Sequence, residues 1–599
     1  MLKRFLLNML SSFVGAWIAL ALFILSVVLL LFGLAGNMAV SAGKGVEQVK
    51  SRSILTITLD GPIEEREAPF EPDLSIILNG RLDAPQTLDV ICESIREAAK
   101  NDDIVAIYLK CGSPSASPAT LNAIREELIG FRKTTDGKKK ILAYGDGFSQ
   151  GCYFVASAAD SIFMNPAGEM GLQGLSSSNF YMKGLLDRLG VQFQVVKVGT
   201  YKSAVEPYIL ENMSEPARAQ MDTLLGTMWG YIRSQISESR KGLTASAIDS
   251  LVSQDYIAFS KAESAVKAGL VDSLVYEREM NRRLAAIAGR EEKKLNFVSP
   301  ATLVAGGQWA SAYSSKRQIA VLYACGEIAD GNSNQINYEN LVPVIVKLAD
   351  DDNVKGLVLR VNSPGGSVYG STQIGEALDY FQSKGKPLAV SMGDYAASGG
   401  YWISADADRI FADPLTVTGS IGIFGLLPNF KGTLDKLGVN VATVSTNPGA
   451  AFPSGFRPLD ETQLAVMQKY VDRGYDDFTS RVAKGRKMKK EKVLSIAEGR
   501  VWSAITAQRI GLVDSLGGLR EAVEWTAAKA GVRDNYDVAA YPQVEPTVWN
   551  LIRLGAMTMA ELKDAVDARD EDRLKIYLMR RILSRKPVQA RMQEFRIDI

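Results

Sequence analysis

The stretch "GDYAASGGYW" (393–402) has the composition of a setting for a reactive hydroxyl: Ser398 follows small residues and precedes two glycines. A serine nucleophile needs a proton acceptor, and the chain contains no histidine. A Ser-His-Asp triad, a Cys-His dyad and a His-ligated zinc are therefore excluded. With histidine absent, the plausible proton acceptor is lysine. A free lysine is protonated at neutral pH, but burial without a counter-charge lowers its pKa by up to several units. The run "VQFQVVKVGTYKSAVEPY" (191–208) offers Lys197 in a strand-like segment and Lys202 among Tyr201, Ser203 and Ala204. Taken singly, either is equally well explained as a surface cation. Glu206 follows Lys202 by four residues, and a carboxylate facing the amine would raise its pKa, so a working base requires Glu206 to point elsewhere.

A second glycine turn, "NSPGGSV" (362–368), carries Gly365 and Gly366 between an apolar run and a helical pattern. Glycine permits unusual backbone angles and close approach of a ligand. An amide here, at a helix start with free N–H groups, together with the Gly399 amide, would make an oxyanion hole. Each glycine pair by itself is also what a plain strand–helix turn needs.

The elements that position these turns alternate. "ILTITL", "IVAIYL", "KKILAYG", "IAVLYA", "GLVLRV" and "KPLAVSMG" read as strands, and "TLDVICESIREAAK" and "NLVPVIVKLADD" have apolar residues at helical spacing. A helix over "GYWISADAD" and a strand at "RIFAD" follow the serine turn. Short buried strands alternating with helices predict an α/β fold with a largely parallel sheet. Ligands of such sheets bind beyond the carboxyl ends of the strands, where both glycine turns fall.

The chain also repeats itself. Residues 144–174 align without gaps on 392–422, and eleven of the 31 pairs are identical. "IVAIYLKCGSP" matches "VKGLVLRVNSP", "SILTITLDGPI" matches "RQIAVLYACGEI", and "GLVDSL" occurs at 269–274 and 511–516. Long colinear matches mean two copies of one domain rather than a solenoid. Opposite Ser398 the first copy has Gln150, and opposite Lys202, near Ala450, the second copy has no lysine. Two copies that keep complementary halves of a pair are what a shared site would leave; independent drift of two inactive domains is the alternative.

The 599 residues exceed one ordinary core, and a net charge of +1 gives no basic excess for nucleic acid. Four scattered cysteines without a CxxC pair read as buried free thiols. The organisation expected is an anchor over 1–49, copies over 50–290 and 317–545 joined by a linker at 291–316, and a helical tail over 546–599. Residues 13–36 are apolar enough and long enough for one membrane-spanning helix, longer than a cleaved signal usually needs. Lys3 and Arg4 would keep the N-terminus cytoplasmic and the bulk of the chain outside, in the periplasm of a two-membrane bacterium. The basic, partly apolar tail reads first as a surface or oligomer helix, with membrane-surface contact or self-occlusion of the site as alternatives.

"VGTYKSAVEP", "VNSPGGSV", "GDYAASGGYW" and "TGSIGI", in this order, resemble the long form of the bacterial signal peptide peptidase A family, and the resemblance covers about 50–545 and the N-terminal anchor. It implies two tandem ClpP/crotonase-like domains, Ser398 as nucleophile and Lys202 as general base. It further implies Ser420 as the group orienting the amine, and oxyanion amides from Gly365 or Gly366 with Gly399. It implies a homotetramer in the bacterial inner membrane, in contact with its lipid, acting on signal peptides and other apolar peptides, with no metal or organic cofactor. A crotonase-type acyl-CoA enzyme and a non-catalytic membrane scaffold are the competing readings.

Overall fold

Two largely parallel sheets with one order of their main strands organise the chain. In the first copy the order is Ser273–Leu274, Ser161–Met164, Lys140–Gly145, Ile104–Ser115, Ser53–Glu64 and Phe297–Val298. In the second it is Ser515–Leu516, Arg409–Ala412, Leu388–Ala397, Val354–Ser363, Gln318–Cys325 and Asp537–Tyr541. The structure, a computed structural model, describes residues 49–66, 86–254, 256–305, 313, 315–331, 336–447, 449–543, 588–591 and 597–598.

The strands form where apolar residues run without interruption, because helices cover both faces of a parallel sheet. Ile54, Leu55, Ile57 and Leu59 are all fully buried. The helices Leu88–Lys100 and Tyr338–Asp350 bury residues three or four apart, Ile91, Cys92, Ile95 and Ala98 in one, and Leu341, Ile345, Leu348 and Ala349 in the other. This matches the expected α/β duplication.

Three expectations need correction. The segment 291–316 is not a bare linker. Phe297–Val298 pairs with Ile54 and Leu55, the place Asp537–Tyr541 takes in the second copy, and the helix Pro300–Ala305 packs on Leu88–Lys100. Two apolar residues after a charged run are too short a signal to read as an edge strand. The helix expected over "GYWISADAD" is four residues, Gly399–Trp402, because the chain turns at once to begin Arg409–Ala412. In the tail, the described residues Val588–Arg591 and Ile597–Asp598 are strands rather than helix, since each finds an open sheet edge to pair with. The apolar segment 13–36 lies outside the described residues, and among the described residues no helix is long and apolar enough to cross a membrane.

A smaller sheet joins the two copies. Its order is Ile336–Asn337, Ile328–Ala329, Gly365–Gly366, Val588–Arg591, Ile423–Asn429 and Gln192–Val198. The last two pair antiparallel over seven residues, from Ile423 opposite Val198 to Asn429 opposite Gln192, and so bring the strand before Lys202 beside the strand after Ser420. Buried polar contacts fasten the copies further. Glu65 forms an ion pair with Arg360 at 2.7 Å. Thr120 donates to Asp394 from both N and Oγ1 at 2.9 Å, and Asn122 Nδ2 donates to Asp413 at 2.7 Å. Removing one partner of such a buried ion pair costs about 3–5 kcal/mol, because the other charge is stranded.

Candidate active site

Ser398 sits where Leu388–Ala397 ends and the short helix begins, with φ 54° and ψ −117°. A side-chain-bearing residue held there stores about 1–3 kcal/mol of strain. The turn persists because its backbone is bonded on both sides: Ser398 N donates to Gly419 O at 2.8 Å, and Trp402 N donates to Ser398 O at 2.9 Å. The glycines that follow are required by space. A Cβ on Gly399 would lie 2.7 Å from Ser371 Oγ, and one on Gly400 2.8 Å from Ser363 O.

Lys202 follows the strand Gln192–Val198 by a tight turn that residues of the second copy hold. Tyr201 N donates to Glu498 O at 2.9 Å, and Thr200 donates from N and Oγ1 to Glu498 Oε2, also at 2.9 Å. Gly499, at φ +70°, packs so closely that a Cβ there would be 2.7 Å from Lys202 Cβ. Gln220 Nε2 donates to Tyr201 O at 3.1 Å, while Val501 N donates to Gln220 Oε1 at 3.2 Å. Glu498, Gly499 and Gln220 escaped the sequence reading, since nothing in their spacing marks them as neighbours of the lysine.

The two turns bring together the residues singled out in sequence. Lys202 Nζ lies 2.8 Å from Ser398 Oγ, 3.0 Å from Ser420 O and 3.1 Å from Ser420 Oγ. Three contacts suit a neutral amine: its two N–H groups donate to Ser420 O and Oγ, and its lone pair faces the Ser398 hydroxyl. Ser420 Oγ donates onward to Gly499 O at 3.4 Å, which leaves its oxygen free to accept from the amine. Lys202 is 1% exposed. Burial alone pulls its pKa from 10.5 down to about 7. Glu206 points elsewhere, as required: its carboxylate accepts from Ser214 Oγ at 2.7 Å and Ser214 N at 3.2 Å. Lys197 stays in its strand opposite Phe424 and does not join the cluster.

The second glycine turn lies beside the serine. Gly365 N donates to Ser363 Oγ at 3.2 Å, so its N–H is already taken. Gly366, at φ +149°, tolerates no side chain, because a Cβ would fall 2.0 Å from Ile328 O. Its N lies 3.2 Å from the position a Cβ on Gly399 would take. Gly366 and Gly399 are thus the pair of turn glycines closest to the requirement for two convergent amides.

The equivalent place in the first copy is closed. Gln150 is buried, and its Oε1 accepts from Gln173 N at 2.9 Å and Gly174 N at 2.7 Å. Leu172, buried, stands where the second copy has Ser420. The described cysteines are free thiols, and among the described residues no group of three or more His, Cys, Asp or Glu could hold a metal ion.

Residues 133–291 and 380–533 each match peptidase family S49, one match in each copy. The chain belongs to peptidase family S49. Within this family it is similar to Protease 4 of Haemophilus influenzae, at 36% identity over 81% of this chain and 80% of the relative. It is also similar to Protease 4 of Salmonella typhi, at 34% identity over 90% and 88%. The chloroplastic serine protease SPPA of Arabidopsis thaliana is 26% identical over 84% of this chain and 72% of its own. Residues 308–412 of this S49 peptidase, which include Gly365, Gly366, Ser398 and Gly399, also match the Clp protease family.

Proposed function

We propose that this S49 peptidase is a membrane-anchored serine endopeptidase in which Ser398 is the nucleophile and Lys202 the general base. The observation that carries the reading is the 2.8 Å contact between Ser398 Oγ and a lysine amine buried without a carboxylate. Neutral Lys202 takes the hydroxyl proton as Ser398 Oγ attacks the peptide carbonyl. The amides of Gly366 and Gly399 donate to the oxyanion; one such donor is worth about 10²–10³ in kcat. Protonated Lys202 then gives its proton to the departing amine, leaving an acyl-enzyme. A water, deprotonated by the same amine, releases the second product. Ser420 orients Lys202 throughout by accepting its two N–H groups.

The substrates that fit are signal peptides and other apolar peptides in or near a membrane. The support is the apolar segment 13–36, which would hold the chain in the inner membrane of a bacterium, against its lipid, with the catalytic part on the periplasmic side. Association with further copies of this chain, as a homotetramer, would give cover to apolar side chains left exposed, among them Phe180, Leu185, Leu189, Leu437 and Val444. The mechanism calls on no metal or organic cofactor and no nucleic acid.

The test is hydrolysis of an unstructured apolar peptide by wild type, Ser398→Ala and Lys202→Ala, with acylation by a serine-directed probe followed by mass spectrometry. The expected result is a fall of at least about 10³-fold in kcat for both variants and a wild-type adduct on Ser398. Turnover at the wild-type rate in either variant would remove that residue from the mechanism.

A further inference from the structure

Buried carboxylates fasten the two copies at several places: Glu65 on Arg360, Asp394 on Thr120 and Asp413 on Asn122. Beside Lys202 such a fastener would do harm, because a negative charge near the amine favours its protonated form. The two carboxylates on the segments around Lys202 are engaged elsewhere, Glu206 with Ser214 and Glu498 with Thr200. The group that joins the copies here is a cation. The Arg500 guanidinium, from the second copy, lies over the ring of Tyr201, the residue before Lys202 in the first copy, at 4.8 Å from its centroid. It also lies over the ring of Trp502, at 4.3 Å. Its Nε is buried with no acceptor, and among the described residues no carboxylate pairs with it. A guanidinium suits this place, since it is planar, weakly hydrated and always charged, and it stacks on aromatic faces without a counter-ion.

The same residue reaches the amine from its other side through the backbone. Arg500 O accepts from Ser420 N at 2.7 Å, which holds Ser420 at φ +50°, where its O and Oγ both meet Lys202 Nζ. Trp502 is fixed by its Nε1 donating to Ile496 O at 3.1 Å, and its ring packs on the residue before Ser420: a Cβ on Gly419 would lie 2.9 Å from Trp502 Cδ1. Arg500 therefore touches both walls of the base, with its side chain on Tyr201 and its carbonyl on Ser420. The duplication agrees. Residues 258–274 align without gaps on 500–516 with eight of 17 pairs identical, and Ala258 and Ser260 stand opposite Arg500 and Trp502. The copy that covers no lysine turn has neither the cation nor the indole.

Resting on the peptidase reading above, we propose that Arg500 is a positioning residue for the base: its guanidinium, held on Tyr201 and Trp502, keeps the lysine turn pressed onto Ser420 and shuts water away from the amine. Without it, Tyr201 N and Thr200 still bond to Glu498, but the cover is lost and water reaches Nζ. Lys202 then moves back toward its ordinary pKa of 10.5. The deficit lies in protonation state. A shift of one unit lowers kcat/KM about tenfold at pH 6, below both values, and barely at all at pH 9.

The test measures hydrolysis of an unstructured apolar peptide between about pH 5 and pH 10. It compares wild type with Arg500→Met, which keeps the stem without charge or plane, and with Arg500→Lys, which keeps the charge without the plane. The expected result for Arg500→Met is an acid limb about one pH unit higher, with the loss at pH 6 restored at pH 9 and Arg500→Lys falling between it and wild type. Tyr201→Leu removes the ring on the other copy and leaves the Arg500 backbone alone; it should move the limb the same way, and it decides the matter if Arg500→Met fails to fold. A purely structural role would lower activity by one factor at every pH, so a limb that stays at the wild-type pH overturns the proposal. A readout without turnover separates this from the peptidase reading: urea unfolding of Ser398→Ala, with and without Lys202→Met, over the same pH range. The stability that Lys202 regains as pH rises begins at its folded pKa, and with Arg500→Met it should begin about one unit higher. An unmoved onset overturns the positioning role, whereas a moved onset in a protein whose wild type hydrolyses nothing upholds it and overturns the dyad alone.

Discussion

Replacing Lys202 by methionine removes the amine while keeping most of the side-chain length, and the structure gives a sign and a size for the effect on stability. The pKa of Lys202 falls from 10.5 to about 7 through burial. Below about pH 7 the folded and unfolded states both carry the proton, and the fold bears the full cost of a desolvated ammonium. Above pH 10.5 neither carries it, and that cost is gone. Between these limits the unfolded state binds the extra proton, so the contribution of Lys202 to stability improves as pH rises. The slope approaches about 1.4 kcal/mol per pH unit, which gives about 2–3 kcal/mol between pH 7 and pH 9. Other groups titrate in the same protein, so the assay is a difference of differences: urea unfolding of wild type and Lys202→Met at pH 7 and at pH 9. Methionine is expected to be favoured at pH 7 relative to pH 9 by that amount. Parallel pH dependence in the two proteins would refute the reasoning, because it would mean that the folded lysine keeps an ordinary pKa and cannot act as a base at neutral pH.

Peptide hydrolysis should rise with pH through an acid limb near 7, the pKa of the buried amine, and a limb above pH 9 in the kcat/KM profile would contradict it. Gly366→Ala should lower kcat by about 10²-fold or more, since its Cβ has to move off Ile328 O and drags the amide with it; an unchanged kcat in the folded variant would assign the oxyanion donor elsewhere.

Much of this was legible in the sequence for physical reasons. Buried parallel strands cannot tolerate charge, so "IVAIYL" and "GLVLRV" stand out, and the duplication is visible because both copies bury the same layer. Ser398 and Lys202 suggest themselves as a pair because each copy lacks what the other keeps, and the resemblance carried by "VGTYKSAVEP" and "GDYAASGGYW" gives them their roles. What stayed hidden depends on contacts between distant segments. Gly365 and Gly366 are alike in sequence, and only the Ser363 hydroxyl on the Gly365 amide separates them. The clamp of Glu498, Gly499 and Gln220 on the lysine turn joins residues with no periodic relation. Phe297–Val298 is a strand only because Ser53–Glu64 offers an edge, and Val588–Arg591 likewise takes its conformation from the strands it pairs with.

The division of the proposed dyad between copies also sets an order in time. Lys202 leaves the ribosome 196 residues before Ser398. At about 5–20 residues per second that is a delay of roughly 10–40 s. During this interval the lysine lacks the Glu498–Arg500 turn that closes over it, so it remains hydrated and cationic, and no base exists. The serine emerges later into a chain whose amine is still charged. With that dyad, a half-made or truncated chain would be inert toward its own unfolded segments and toward neighbouring nascent proteins. On the proposed dyad, the peptidase would switch on only when its two halves meet, which would make completed folding its activation step.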